Sequence, residues 1–136
     1  MFRAFRLVGA AIMLGSSVLA VTAARAIELT GAWATQTDLC SQVFTKKDNR
    51  VVYAEFSELF GSGFIIDGDR IRGKTGTCTI KSRKEEGNSL ELSAACASSV
   101  MTQDLRFSLK IIDDNNISRS FPEISGMSLN YTRCKL

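Results

Sequence analysis

The chain has 136 residues with 17 basic side chains, 14 acidic ones and no histidine, a size that suits one modest domain. Without histidine, the commonest general base, the Ser-His and Cys-His nucleophile pairs and most zinc chemistry are missing. The net charge of +3 belongs to one end: Arg3, Arg6 and Arg25 have no acidic counterpart before Ile27, and the 110 residues from Ile27 onward carry 14 charges of each sign. That balance removes the electrostatic basis for nucleic-acid binding.

Residues 1–26 have the three parts of a secretory signal peptide. Arg3 and Arg6 make a positive start, an apolar stretch runs from Leu7 to Ala20, and Ala24-Arg25-Ala26 offers the small side chains a signal peptidase accepts. Cleavage is expected after Ala26, releasing a single exported β domain over residues 27–136 into the periplasm or beyond. Membrane contact is expected only through this segment, if it stays uncleaved.

Period-two patterning dominates the chain beyond Ala26. Trp33, near the start of the domain, is expected to plug one end of a barrel. Residues 37–44 suggest a helical turn capped by Thr37 or Asp38. Residues 50–56 and 63–67 are rich in β-branched and aromatic side chains and predict strands. Arg70, Arg72 and Lys74 alternate along another short strand. Residues 77–83 and 89–96 alternate cleanly around a polar stretch holding Gly87 and Asn88, a strong hairpin signal. A second hairpin is predicted where 105–112 meets Asp113-Asp114-Asn115-Asn116, and residues 128–134 supply a last strand. Together these predict a mainly β chain: one small antiparallel barrel or sandwich with two disulfides.

Cys40, Cys78, Cys96 and Cys134 are separated by 38, 18 and 38 residues. None forms the close pair of a zinc site or a thioredoxin-type redox motif, so structural disulfides are expected. Sequential pairing, Cys40–Cys78 with Cys96–Cys134, closes two equal loops and is favoured. The nested alternative pairs Cys78 with Cys96, which the predicted hairpin sets on neighbouring strands, and Cys40 with Cys134.

No residue set makes a persuasive catalytic centre. Asp67, Asp69, Glu85 and Glu86 fall in predicted turns. Asp113–Asn116 is oxygen-rich but lacks the ligand spacing of a calcium loop. Ser57 and Ser62 do not stand in the S-x-x-K relation of Ser-Lys hydrolases. No enzyme activity, metal or cofactor is expected. Arg70, Arg72, Lys74, Lys81 and Arg83 would form a basic partner-binding patch if their strands are neighbours, and residues 27–31 offer an extended arm.

The run Glu28-Leu29-Thr30-Gly31-Ala32-Trp33, followed by Cys40 and Phe44, is similar to the start of small periplasmic inhibitors of secreted metalloproteases. That resemblance implies a compact lipocalin-like barrel and an inhibitory role. In overall build the chain also resembles small exported alphaproteobacterial disulfide-containing β proteins, some from intracellular pathogens, which implies a virulence role. The functional expectation is an exported non-enzymatic binding protein with a protein partner, such as an inhibitor of an envelope or host hydrolase. The alternative is a secreted virulence effector acting in the host cell.

Overall fold

The structure, a computed structural model, describes residues 28–136. The expected signal peptide, its cleavage site and the first residue of the 27–31 arm lie outside them. The described residues form ten strands: β1 (Gly31–Ala34), β2 (Phe44–Lys47), β3 (Arg50–Tyr53), β4 (Gly63–Asp67), β5 (Arg70–Arg72), β6 (Gly76–Glu86), β7 (Ser89–Ser98), β8 (Thr102–Asp113), β9 (Asn116–Ser120) and β10 (Ser128–Arg133). Eight of them close an antiparallel barrel in the order β1-β10-β9-β8-β7-β6-β5-β4, while β2 and β3 form a separate hairpin. The expected choice between barrel and sandwich is thereby decided for the barrel.

The alternation read in the sequence sets which side chains turn inward. Leu90, Leu92 and Ala94 on β7 and Phe107 and Leu109 on β8 lie on one face and are buried, with Ile117 on β9 and Tyr131 on β10 beside them. Trp33 is fully buried at one end of this interior, its indole N–H donating to the Leu29 carbonyl at 2.9 Å. Arg133, opposite Trp33 in the β1–β10 register, stacks over the indole at 4.4 Å. Its guanidinium donates to the carbonyls of Glu28, Thr30 and Asp114, tying the start of the domain to the β8–β9 turn. Trp33 plugs the barrel as expected.

Strands β1 and β4 carry buried residues on both faces. Between them the chain makes an excursion through a 3₁₀ turn (Thr37–Leu39), a short helix α1 (Cys40–Val43), the β2–β3 hairpin and a second 3₁₀ turn (Ser57–Phe60). Val43 and Phe44 of this excursion pack over Ala32, Ala34 and Ile65 on the outside of the barrel, a second apolar cluster. Small residues at 32 and 34 permit that close approach, and Gly63 permits it further: a Cβ there would stand 2.5 Å from the Trp33 carbonyl oxygen and 2.8 Å from the Phe44 ring. The two-residue β2–β3 turn uses Asp48 and Asn49 at φ 53° and 60°, the left-handed pair that a tight hairpin demands and that Asx side chains tolerate. The expected strand over 50–56 stops at Tyr53, because Phe56 turns left-handed at φ 57°.

The disulfides correct the favoured pairing. Cys78 and Cys96 are bonded, and so are Cys40 and Cys134, with Cα separations of 3.9 and 5.7 Å. Hairpin partnership decides the first bond: Cys78 and Cys96 stand directly opposite on β6 and β7, both turned inward. The excursion decides the second. It lays Cys40 on the outer face of β1, where Cys134, leaving β10, donates its backbone N–H to the Ala32 carbonyl. Equal loop sizes carried no weight against these adjacencies.

Candidate functional site

The strands meet one another at two unlike ends. At one, Trp33 and Arg133 close the interior. At the other, β1, β5, β7 and β9 end while β4, β6, β8 and β10 begin, and a cavity of about 390 Å³ opens between Gly73, Thr75, Ser98 and Met101. Its walls are mainly apolar, with Ile66 and Ile71 on one side and Leu92, Leu105 and Phe107 on the other, and polar side chains such as Thr75, Ser98 and Gln103 also line it. The volume falls within the ~300–1,000 Å³ of small-molecule sites. Among the described residues neither Asp nor Glu lines it.

The space exists because the inward positions of the β6–β7 hairpin are small. Gly76, Cys78, Ala94 and Cys96 face the interior, and a Cβ at Gly76 would come within 2.8 Å of the Ala97 carbonyl oxygen. The inner disulfide therefore forms part of the cavity wall.

One charged side chain enters this apolar space. Arg119 lies opposite Leu109 on β8 and Leu129 on β10, so it shares their inward face. Its guanidinium sits 4.6 Å from the ring centres of both Phe107 and Phe121. Its Nε is buried without a hydrogen-bond partner, and no carboxylate among the described residues pairs with it. Tyr131, diagonal to Arg119 on the same face, packs its ring against Phe64 at 4.8 Å. It lines the same cavity.

Sequence reasoning passed over Arg119. The signal was present: Ile117 and Arg119 are in phase on one strand, so burial of the isoleucine carries the arginine inward as well.

The five predicted basic residues are not brought together as one free face. Arg70 is exposed on β5. Arg72 reaches under the β2–β3 hairpin and donates through Nη2 to the Val51 carbonyl at 2.9 Å. Lys74 donates to the Ser57 hydroxyl at 2.9 Å, lies 3.5 Å from the Glu58 carboxylate and stands over the Tyr53 ring. Lys81 marks a break in register between Ile80 and Ser82. Beyond that bulge Arg83 pairs with Leu92 rather than with an outward residue, and its guanidinium contacts the Glu85 carboxylate at 2.5 Å.

The Ser57–Lys74 contact was also unforeseen, since 17 residues separate the partners. It has the composition of a Ser-Lys dyad, yet Ser57 is only 2 % exposed and offers no hydroxyl to a substrate. The pair instead fastens the second 3₁₀ turn to the β5–β6 connection. Tyr53 does similar work: its hydroxyl lies 2.9 and 3.0 Å from the carbonyls of Gly63 and Arg72, and burial pushes its pKa up to about 12.

The acidic candidates serve local geometry. The backbone N–H of Asn115 and then the Asn116 side-chain amide hold the Asp113 carboxyl below its usual range, each at 2.8 Å. Among the described residues no group of three or more acidic or cysteine side chains is placed to hold a metal ion. Nor is any described helix long and apolar enough to cross a membrane. No protein-family model matches the chain, and no curated protein or solved structure matches it either.

Proposed function

We propose that this chain is an exported, non-enzymatic binding protein that takes a small apolar ligand into the open end of its barrel. The observation that carries the reading is the cavity itself, apolar-walled, open at one end and plugged at the other by Trp33. An eight-stranded barrel is just wide enough either to be filled by its own side chains or to hold one small ligand. Two disulfides are consistent with an oxidising compartment. With the signal-like residues 1–26, they support the periplasm or the extracellular space as its place of action.

Titration with the neutral fluorescent probe N-phenyl-1-naphthylamine tests this. Saturable one-to-one binding is expected in the wild type and its loss in Leu105→Trp, which fills the cavity. A wild-type protein that fails to bind the probe would remove the reading. N-terminal sequencing of protein recovered from the periplasm should begin at Ile27.

A second reading, inhibition of an envelope or host hydrolase, draws on the segments around the mouth. Phe56, Leu59 and Val100 are 63, 73 and 86 % exposed, and large apolar side chains left in solvent are available to a protein partner. This reading expects the pure protein to slow a secreted protease and Phe56→Asp to relieve the inhibition. Indifference of such proteases to the pure protein would dismiss it.

A further inference from the structure

We propose that the ligand of the cavity is a single-chain carboxylate, its head group held by Arg119 and its chain lying along the apolar wall. The inference rests on the cavity-binding reading and adds the chemistry of the ligand.

The charge inventory comes first. Among the described residues Arg119 is the one charged side chain lining the cavity, and neither aspartate nor glutamate lines it. An arginine remains protonated at any physiological pH, so the site carries a standing positive charge. Burying such a charge is unfavourable unless something compensates it. The rings of Phe107 and Phe121, each 4.6 Å from the guanidinium, supply part of the compensation through their faces. They supply no hydrogen-bond acceptor, and Nε is left buried and unpartnered. The two ring contacts hold the half-buried guanidinium in place and leave Nε unsatisfied, an arrangement suited to an anion arriving from the cavity.

The geometry then selects among anions. A guanidinium fork matches a carboxylate through two parallel hydrogen bonds. One positive charge balances one carboxylate, whereas a doubly ionised phosphate monoester would bring a second negative charge into an apolar site with no cation to meet it. Tyr131, diagonal to Arg119 on the same face, also lines this space. Much of the remaining wall, with Ile66, Ile71, Leu92 and Leu105, is apolar and suits a hydrocarbon chain, while Thr75, Ser98 and Gln103 add polar positions. A volume near the lower end for ligand sites admits one chain rather than two.

The test is calorimetric titration of the exported protein, both disulfides intact, with decanoate, 1-decanol and decyl phosphate. Loss of one charge-assisted hydrogen-bond pair is worth roughly tenfold or more in affinity. Decanoate is therefore expected to bind one-to-one and at least that much more tightly than decanol, with decyl phosphate weaker than decanoate. Arg119→Met keeps the approximate length of the side chain but removes the guanidinium, so it should abolish the preference, decanoate then binding no more tightly than decanol. Equal binding of decanoate and decanol by the wild type would overturn the inference and leave the cavity reading standing. Preference for decyl phosphate would overturn the carboxylate assignment. Binding of none of the three would overturn both. The wild-type comparison needs no variant, so a misfolded Arg119→Met would not rescue the idea.

Discussion

Removing the two disulfides one at a time separates the nested pairing from the sequential one by energy and by chemistry. The outer bond, Cys40–Cys134, spans 94 positions and the inner bond, Cys78–Cys96, spans 18. The chain-entropy relation gives roughly 4.7 kcal/mol for the outer loop and about 3.2 kcal/mol for the inner one. With the inner bond already in place the outer loop is effectively shorter, and its contribution falls only to about 4.5 kcal/mol. The Cys40→Ala/Cys134→Ala variant should therefore lose about 1 kcal/mol more than Cys78→Ala/Cys96→Ala, a difference of about 4–8 °C in Tm for a domain of this size. Urea unfolding followed by the fluorescence of the single tryptophan, Trp33, reads both losses. Sequential pairing would close two loops of 38 residues, worth roughly 4 kcal/mol each, and the two variants would then be equally unstable. Thiol titration gives the sharper readout. Under nested pairing each double variant retains one intact bond and shows no free thiol; under sequential pairing each would strand two. Free thiols in either variant, or a greater loss from the inner pair, would refute the reasoning from strand adjacency.

Gly63→Ala should cost at least about 2–3 kcal/mol in urea unfolding, since the new methyl group meets a backbone carbonyl that cannot move aside; a loss under about 0.5 kcal/mol would show the β1–β4 contact to be looser than described. Arg133→Met removes three carbonyl partners and the stack on Trp33, and should lower stability by about 2–4 kcal/mol and shift the tryptophan emission to the red. An unchanged emission maximum would contradict the plug. Tyr53 should ionise near 12 in an alkaline absorbance titration, and Tyr53→Phe should delete that step. Its folded value lies above the ordinary value near 10, so the folded state holds the proton more tightly. The associated stability is complete below about pH 10 and is lost as pH rises toward about 12. A step near 10 that vanishes in Tyr53→Phe would overturn the assignment.

Much of the barrel could be read directly from side-chain periodicity. β4 matches its expected bounds, and β6, β7, β8 and β10 depart from theirs by a few residues, because their side chains alternate between the interior and the outside and that alternation reports the fold. β2 was not anticipated: Phe44-Thr45-Lys46-Lys47 has one buried residue and no alternation, and it pairs only with β3. Barrel closure was equally invisible, since it depends on β1 meeting β10 through two residue pairs at opposite ends of the chain. The basic residues show what a single bulge does. Lys81 and Arg83 were expected to join Arg70, Arg72 and Lys74 in a patch if their strands were neighbours; β5 and β6 are neighbours, but the extra residue at 81 reverses the phase, and Arg83 comes to share the face of Leu92. A period-two reading has no means of locating such an insertion when both flanking segments alternate well.

The cavity and the inner disulfide have a common cause in the side chains of one hairpin. An eight-stranded barrel needs large inward residues all round to fill itself, and the closed end has them in Trp33, Leu90 and Ile117. Toward the mouth, β6 and β7 instead present Gly76, Cys78, Ala94 and Cys96. Two leucines in place of the cysteines would bury more apolar area and would pack the space shut. The bonded pair holds the strands together with little volume, so the hairpin wall keeps its cross-link without occupying the interior. The arrangement gives up packing contacts that a purely structural barrel would use, and it does so at the end where Arg119 stands without a partner. A wall that is covalently held yet left thin is what a binding cavity requires, since it must remain open without collapsing around an unfilled centre.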